Sequence, residues 1–363
     1  MYIAIDANEA NVSNRVGIGR YAFNVLKGIY SLNSITGKPS SFEIMLKKTP
    51  LESFPPASAH WSYRVLYPSF VWSQLAFPLN LMFSMPKPDL LFSLSHYSPR
   101  FTGIPSVVSV MDLSFLHYPQ MFKKSDYYKL KNWTAFSVKK ARKIITISNF
   151  TKGEIIKFYK IDPGRIIMAY PGVDRNIYRP SKTPSKKDFI LFVGTLQPRK
   201  NISGLLTAFS NLNQKDKLHL KIVGKKGWLY KDIFEMVKKK GLEKKVLFSD
   251  YASEKDLISY YQNALCLVLP SLYEGFGIPV IEAFACGCPV IAANSSSLPE
   301  IVGNAGLLVN ALNPGAITRA IDRISADKGL SRALIKSGIT RSESFNWENT
   351  ARIIYTTLTD SKN

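Results

Sequence analysis

The chain has 363 residues, of which 46% are hydrophobic and 20% are charged, so its composition is that of an ordinary globular protein. The 21 glycines and 21 prolines are scattered without a period, which excludes a collagen-like or disordered chain. The basic residues outnumber the acidic ones by 48 to 26, which gives a net charge of +22. Three cysteines, with no histidine at a metal-ligand spacing, favour a reducing compartment and predict neither a disulfide framework nor a metal site.

Short apolar runs alternate with amphipathic stretches in the first half of the chain. The opening Met-Tyr-Ile-Ala-Ile-Asp has no basic segment, so it predicts a strand and not a signal peptide. Ser148 is of the residue type that caps a helix N-terminus. We predict strands at 2–5, 89–93, 105–111 and 143–147, and helices at 17–30, 126–141 and 151–159.

The same alternation returns after residues 170–187, which are rich in Pro, Ser and Lys and predict an interdomain linker. We predict strands at 189–193, 219–223, 246–248, 265–269 and 290–292, and helices at 202–212, 230–240, 254–263, 278–285 and 315–324. The order predicts two α/β domains, each a doubly wound parallel sheet. Ligands of such sheets bind where strands end and helices begin, so we expect the site there.

Residues 65–86 have no charged side chain but contain three prolines. A broken, buried helix is the first interpretation of this segment. Contact with a membrane surface is the second, and a membrane span is the third.

The positive charge is concentrated in two stretches. Residues 123–165 carry a net charge of +9 with aromatic residues interleaved, and residues 215–245 carry +7. Nucleic acid, an anionic membrane surface or a phosphorylated substrate would suit such a surface, and an ordinary solvated surface is the alternative. Because no nucleic-acid-binding module accompanies the charge, we expect no nucleic acid partner.

The strongest motif of the second half follows the predicted strand 265–269. It reads Ser-Leu-Tyr-Glu-Gly-Phe-Gly-Ile-Pro from Ser271 and leads into the predicted helix 278–285. Gly275 and Gly277 allow backbone N–H groups to approach a ligand closely, and the helix N-terminus suits a phosphate. The alternative is that Glu274 only complements the helix dipole.

Two further features accompany this motif. Glu282 lies in a helix that is apolar on every side, so its carboxylate needs a partner from the protein or from a sugar or ribose hydroxyl. Arg199 and Lys200 lie in the loop after the predicted strand 189–193. Two cations there could neutralise a diphosphate without a metal, whereas a loop Arg-Lys pair is often only solvated.

The segment 274–283, with 287–292 and 297–302, matches the signature of one family, and segments 17–21, 148–152, 170–174 and 194–201 match it in order. On these residues the sequence resembles glycosyltransferase family 4, in particular its mannosyltransferase-like members. The resemblance implies the GT-B fold, with two Rossmann-like domains facing a central cleft. It implies an acceptor-side domain at 1–175, a nucleotide-sugar domain at 176–340, and a C-terminal helix at 341–363 that crosses back onto the first domain.

The resemblance also implies roles for individual residues. Arg199 and Lys200 would hold the donor diphosphate, Glu274 would contact the donor sugar, and Glu282 would bind the nucleotide ribose. The remaining donor contacts would come from Gly17, Gly19, Asp112, Gly275, Phe276 and Gly277. No metal and no cofactor are implied, and the nucleotide sugar, linked to GDP, UDP or dTDP, is a substrate.

One position departs from the family pattern. Members commonly read His-Asp-Leu at the end of a strand in the first domain, where the histidine contacts the transferred sugar near its sixth carbon. Here Met111 precedes Asp112. Either His117 replaces the histidine, or the donor lacks a 6-hydroxyl, or Met111 simply packs, which is the interpretation we favour.

The implied function is a retaining, metal-independent hexosyltransferase with mannose as the favoured sugar. Its acceptor would be a hydroxyl of a glycan or a polyprenyl-diphosphate-linked glycan in polysaccharide or glycolipid biosynthesis. The enzyme would be cytoplasmic, with peripheral contact to an anionic membrane face as an option. The rival interpretations are another GT-B enzyme, such as a nucleotide-sugar epimerase, and a non-enzymatic basic protein that binds polyanions.

Overall fold

The computed structural model describes residues 1–69, 72–182, 188–213 and 217–360. Within them the chain divides into two compact units. Unit 1 comprises Met1–Pro171 with Trp347–Asn363, and unit 2 comprises Gly172–Asn346. Every strand pair described in the two sheets is parallel, so the predicted α/β class is confirmed.

Unit 1 is built on a seven-stranded sheet with the order β3-β2-β1-β4-β5-β6-β7. The strands are β1 (Tyr2–Asp6), β2 (Ser41–Leu46), β3 (Trp61–Val65), β4 (Leu90–Ser93), β5 (Ser106–Val110), β6 (Lys143–Thr146) and β7 (Ile166–Met168). The helices are α1 (Ile18–Ile35), α2 (Ala76–Phe83), α3 (Ser114–His117), α4 (Lys124–Lys140) and α5 (Asn149–Tyr159), with α13 (Trp347–Thr359) from the end of the chain. As predicted, Ser148 caps α5, its side chain accepting from the Thr151 N–H.

Unit 2 is built on a six-stranded sheet with the order β10-β9-β8-β11-β12-β13. The strands are β8 (Phe189–Val193), β9 (His219–Val223), β10 (Val246–Ser249), β11 (Cys266–Leu269), β12 (Val290–Ala293) and β13 (Leu307–Val309). The helices are α6 (Ile202–Ser210), α7 (Lys231–Lys239), α8 (Glu254–Asn263), α9 (Ile278–Ala285), α10 (Leu298–Val302), α11 (Pro314–Ala326) and α12 (Lys328–Ser342). The inner strands β11 and β12 are buried throughout, as their continuous apolar runs require.

The boundaries of the units differ by a few residues from the predicted ones at 175 and 341. The carbonyl of Tyr170 accepts a hydrogen bond from Thr350 of α13 within unit 1, whereas the Val173 N–H donates to the Phe345 carbonyl over 3.1 Å within unit 2. The chain therefore changes unit between Tyr170 and Val173. This change falls inside the predicted linker 170–187, in which Tyr178 is already buried, and residues 183–187 lie outside the described residues.

Among its described residues, the uncharged segment 65–86 forms one short helix, the eight residues of α2. Trp72, Phe77 and Leu81 are buried, which agrees with a broken, buried helix, although Phe70 and Val71 lie outside the described residues. Within the described part of the chain, no helix is both long enough and apolar enough to cross a membrane.

Candidate active site

Three loops of unit 2 meet at the carboxyl edge of its sheet. β8 lies between β9 and β11, so the strand order reverses there, and this switch point is where open α/β sheets bind ligands. The loop after β8 carries Arg199 and Lys200, and the loop after β11 carries Glu274. The loop after β12 carries the serines 295–297. Residues that are far apart in the sequence are thereby brought together.

The loop after β8 is fixed by a short 3₁₀ turn at Pro198–Lys200. Asn201 follows in the left-handed region, with φ of 53°, and its side chain accepts from the Gly204 N–H to cap α6. The Arg199 carbonyl accepts from the Leu272 N–H over 2.8 Å, which ties this loop to the one after β11. The backbone that carries both cationic side chains is thus fixed by the loop after β11 and by the cap of α6.

Arg199 and Lys200 both pair with the carboxylate of Glu274. Lys200 Nζ donates to Oε1, and Arg199 Nη1 lies 3.4 Å from Oε2 while it donates to the Tyr273 carbonyl over 2.7 Å. The Ser271 hydroxyl donates a further 2.7 Å hydrogen bond to Oε1. Two cations therefore face one carboxylate in this cluster.

The three charged side chains are largely buried, with 15%, 12% and 9% of Arg199, Lys200 and Glu274 exposed. Burial raises the pKa of Glu274, but the Lys200 and Arg199 charges and the hydrogen bonds from Lys200 and Ser271 outweigh it, so its pKa lies below the usual value. Glu274 is accordingly ionised at neutral pH. The cluster keeps one positive charge in excess, which suits an anionic ligand.

The N-terminus of α9 lies next to this cluster in the sequence. Gly277 caps the helix with φ of 106°, and a Cβ atom there would lie 2.8 Å from Leu298 Cδ2, so the position requires glycine. The Ser297 hydroxyl donates to the carbonyls of Glu274 and Phe276, over 2.9 and 3.0 Å. The Glu274 N–H donates to Ser296 Oγ over 2.9 Å. The loop 274–277 is thus held in place before the helix begins.

Glu282 is buried within α9, as the apolar helix predicted. Its Oε2 accepts a 2.8 Å hydrogen bond from the hydroxyl of Tyr261 on α8. The partner that a buried carboxylate needs is therefore at least partly supplied by the protein itself. Tyr261 was not predicted, because nothing in the sequence shows which side chain faces a given helix position.

The predicted residues of unit 1 lie at the carboxyl edge of its own sheet. Gly17 and Gly19 lie at the start of α1. A Cβ atom at Gly19 would lie 2.8 Å from the Glu9 carbonyl oxygen, so this close approach requires a glycine at position 19 whether or not the residue contacts a substrate. Asp112 follows β5, and its Oδ1 accepts from the backbone N–H and the hydroxyl of Ser114, over 2.9 and 2.7 Å.

Met111 is buried, with 7% of its surface exposed, in agreement with a packing role. His117 is held by the carboxylate of Glu154 on α5, and its ring meets Phe158 edge to face. His117 thus already has an anionic partner in unit 1. Another histidine, His96 in the loop after β4, was not predicted as a site residue.

No group of three or more His, Cys, Asp or Glu side chains in the described ranges is arranged to hold a metal ion. The three cysteines are buried. The serines 271, 296 and 297, which hold the Glu274 loop, were also not assigned a role from the sequence. Their only sequence signal was their position after predicted strands of the parallel sheet.

Comparison with known proteins places this geometry in a family. The family described as "Glycosyl transferases group 1" matches residues 174–341, and "Glycosyltransferase Family 4" matches residues 48–176. The O-antigen chain mannosyltransferase B of Escherichia coli is 27% identical, with 92% of this chain and 93% of that protein aligned. The O-antigen chain mannosyltransferase RfbU of Salmonella typhimurium is 30% identical over 64% of each chain.

A solved structure shows the same fold. The sucrose-phosphate synthase of Thermosynechococcus elongatus superposes with a TM-score of 0.79 over 100% of both chains, at 22% sequence identity. The predicted GT-B fold, with its two parallel-sheet α/β domains, is thus confirmed. With two glycosyltransferase families matched in order along the chain, the protein belongs to the GT4-type glycosyltransferases.

Proposed function

We propose that this enzyme transfers mannose from a nucleotide diphosphate to a hydroxyl of a glycan or lipid-linked glycan, with retention of the anomeric configuration. The names of two relatives support the sugar and the pathway class, since both are O-antigen chain mannosyltransferases. The observation that carries the proposal is the cluster of Arg199, Lys200 and Glu274 beside the α9 N-terminus. It combines cations for a diphosphate with a carboxylate for sugar hydroxyls.

The roles follow from the chemistry of each group. Arg199 and Lys200 bind the donor diphosphate, and Glu274 both orients the two cations and accepts from a hydroxyl of the donor sugar. Glu282 binds the nucleotide ribose. Backbone groups of residues 275–277 complete the donor site of unit 2. Within unit 1, Gly17, Gly19 and Asp112 are the residues that we propose for substrate contacts.

The reaction breaks the bond between the anomeric carbon and the diphosphate, whose oxygen keeps the electron pair. A bond forms between the anomeric carbon and the acceptor oxygen, and the proton of the acceptor hydroxyl passes to the leaving diphosphate. Because the diphosphate oxygen keeps the electron pair, negative charge grows on the leaving diphosphate. Arg199, Lys200 and the positive end of α9 stabilise that charge, and because they are held in place, no reorganisation is required as the bond breaks. We propose no protein nucleophile.

Since protein cations serve the diphosphate, we propose that the reaction needs no divalent metal. Transfer from GDP-mannose is expected to persist in excess EDTA. Loss of transfer in EDTA, with recovery on addition of Mg²⁺ or Mn²⁺, would overturn this part of the proposal.

The test of the donor site is thermal unfolding with GDP, UDP, dTDP and ADP, each with and without EDTA. A nucleotide at 100 times its dissociation constant adds about 2.7 kcal/mol to the unfolding free energy, which is readily detected. We expect GDP to stabilise the protein and GDP-mannose to be consumed in the presence of acceptor. Stabilisation by UDP instead would correct the donor base.

A failure of every nucleotide, together with stabilisation by heparin, would favour the polyanion-binding interpretation. Consumption of a nucleotide sugar without any sugar acceptor would favour an epimerase. A sample with heparin and a sample with nucleotide sugar but no acceptor are therefore added to the set.

We further propose that the enzyme contacts an anionic membrane face through unit 1. Exposed lysines lie at the N-cap of α4, at 123, and along the helix, at 124, 129, 131, 139 and 140. At the end of α2, Phe83 and Met85 are 78% and 87% exposed. Each lysine near an anionic surface contributes about 1 kcal/mol, and the apolar side chains add burial in the interface.

Vesicle sedimentation tests this surface. Wild-type protein is expected to bind vesicles containing phosphatidylglycerol at low salt but not pure phosphatidylcholine. The double variant Phe83→Ser and Met85→Ser should bind less, whereas Ile35→Ser, which removes an equally exposed side chain at the end of α1, should bind like the wild type. Equal binding to both vesicle types, or to neither, would contradict the proposal.

A further inference from the structure

A second group of polar side chains lies at the carboxyl edge of the unit 1 sheet. In this sheet β1 lies between β2 and β4, so the strand order reverses between β1 and β4. Glu9 follows β1, His96 follows β4, and Asp112 follows β5. The carboxylates of Asp112 and Glu9 both lie close enough to His96 to act on its charge. This is the position at which an open parallel sheet binds ligands.

The strand β4, which precedes His96, pairs with β5, which precedes Met111. Leu91 pairs with Ser106 and Ser93 with Val108, so each partner lies fifteen residues further along the chain. The imidazole is thus supplied by the loop after β4, and Met111 and Asp112 lie in the loop after the neighbouring strand β5.

One ring nitrogen of His96 makes no hydrogen bond to the described residues. Its Nδ1 is buried and has no hydrogen-bond partner in the described ranges 1–69, 72–182, 188–213 and 217–360. Buried polar atoms usually have such a partner, so this nitrogen is able to take a hydrogen bond from a water molecule or from a ligand group. The ring meets Phe115 edge to face at 6.5 Å, which positions it, and the residue is partly exposed although Nδ1 is not.

We propose that His96, with the neighbouring carboxylates of Asp112 and Glu9, binds hydroxyl groups of a substrate sugar. The inference rests on the proposed glycosyltransferase function and adds a residue to its substrate site. A neutral imidazole donates from one nitrogen and accepts at the other, and carboxylates accept, so the three groups match the alternating donors and acceptors of a sugar.

The electrostatics agree with a neutral ring. Burial lowers the pKa of His96 below its usual value, although Asp112 and Glu9 oppose this effect. Near neutral pH the ring therefore keeps both a donor and an acceptor, as a sugar hydroxyl requires.

The test compares His96→Gln, which keeps a donor and an acceptor, with His96→Phe, which keeps an aromatic ring against Phe115 but makes no hydrogen bond. We expect kcat/KM for mannose transfer from GDP-mannose to fall in the order wild type, His96→Gln, His96→Phe, the last by about ten- to a hundredfold. The unfolding temperatures and the stabilisation by GDP should stay near wild type. His60→Gln, an exposed histidine of the same unit, should transfer like the wild type.

The outcomes separate this inference from the function on which it rests. Absence of transfer by the wild type overturns the proposed function, and this inference with it. Wild-type transfer with both His96 variants fully active overturns this inference alone. A merely structural role for His96 would lower the unfolding temperature in parallel with activity and would not favour His96→Gln over His96→Phe. If His96→Phe does not fold, His96→Ala takes its place, and full activity of the folded His96→Ala with a wild-type KM for donor and acceptor would decide against the proposal.

Discussion

The hydroxyl of Tyr261 donates a 2.8 Å hydrogen bond to Oε2 of Glu282, which joins α8 to α9 inside unit 2. Both side chains are buried. Burial raises the pKa of Tyr261 well above its usual value, and the Glu282 carboxylate raises it further, so the hydroxyl keeps its proton and remains a donor. The second glutamate of the motif is therefore oriented by the protein before a nucleotide binds.

Tyr261→Phe removes this hydrogen bond and leaves a buried carboxylate with one donor fewer. We expect the unfolding free energy to fall by about 1–3 kcal/mol, the usual cost of an unsatisfied buried polar group. If Glu282 binds the ribose, KM for the donor should also rise, because the carboxylate is no longer held in one orientation. Urea unfolding and donor titration measure the two effects.

The matched control is Tyr260→Phe, the same chemical change one position earlier on α8. Tyr260 is only partly buried, and its ring lies 4.0 Å from Lys221 Nζ. This variant should retain wild-type stability and donor KM. A loss in Tyr260→Phe as large as in Tyr261→Phe would show that the effect belongs to the helix and not to the Glu282 contact.

Lys200→Met tests the diphosphate role of the ion cluster. Loss of a fixed donor to developing charge costs about 3–4 kcal/mol in known oxyanion sites, so we expect kcat to fall by two to three orders of magnitude. Steady-state kinetics with donor and acceptor measure this, and Lys336→Met, an exposed lysine on α12, should behave like the wild type. Wild-type kcat in Lys200→Met would remove Lys200 from the mechanism.

A double variant separates catalysis from charge balance within the cluster. In Lys200→Met the buried Glu274 loses one of its two described cationic partners and keeps Arg199, so stability should fall, and Glu274→Gln in addition should restore part of it. The double variant should nevertheless stay inactive. Recovered transfer would mean that Lys200 serves only to neutralise Glu274.

The pH dependence of stability depends on Asp6 at the end of β1. Burial raises the pKa of Asp6 to about 6, with the hydrogen bonds from Asn8 opposing the shift. Between the ordinary aspartate value of 3.8 and about 6, the folded protein binds more protons than the unfolded chain. The contribution of Asp6 to stability is therefore complete below this window and is lost as the pH rises through it.

Asp6→Asn should remove this slope, because an amide does not titrate and can still accept from Asn8. Urea unfolding of both proteins at intervals from pH 4 to pH 6.5 measures the difference. Glu52→Gln, an exposed carboxylate in the same unit, should keep the wild-type slope. Parallel curves for wild type and Asp6→Asn would contradict the assigned shift.

The sequence predicted the elements of unit 2 more completely than those of unit 1. β8 and β9 have the predicted bounds, since each is a short apolar run in a sheet that is covered on both faces. β2 was missed because Glu43 interrupts its apolar run. In the structure that carboxylate accepts from the Tyr2 hydroxyl and pairs with Arg64 Nε over 2.8 Å, and neither partner is near it in the sequence.

In the candidate site, too, the sequence predicts the positions of residues but not the contacts between distant ones. That Arg199, Lys200 and Glu274 share one edge of a sheet follows from the order of strands and loops. That they pair with one another, and that Tyr261 holds Glu282, depends on side-chain directions that only the folded chain fixes. The imidazole of His96 escaped notice because its neighbours Asp112 and Glu9 follow two other strands.

Gly28 governs the attachment of the C-terminal helix. A Cβ atom at this position of α1 would lie 2.3 Å from Ala351 Cβ of α13, so a larger residue forces the two helices apart. Trp347 at the start of α13 packs its ring 6.2 Å from that of Tyr21 on α1, so its fluorescence reports the separation. Gly28→Val should cost about 1–3 kcal/mol, as overpacking usually does, and should change the emission before the main unfolding transition. The control is Gly153→Ala in α5, where no atom lies within 4 Å of the added Cβ. This change should raise the unfolding free energy by up to about 1 kcal/mol. Equal effects of the two changes would contradict the close packing of α13 on α1.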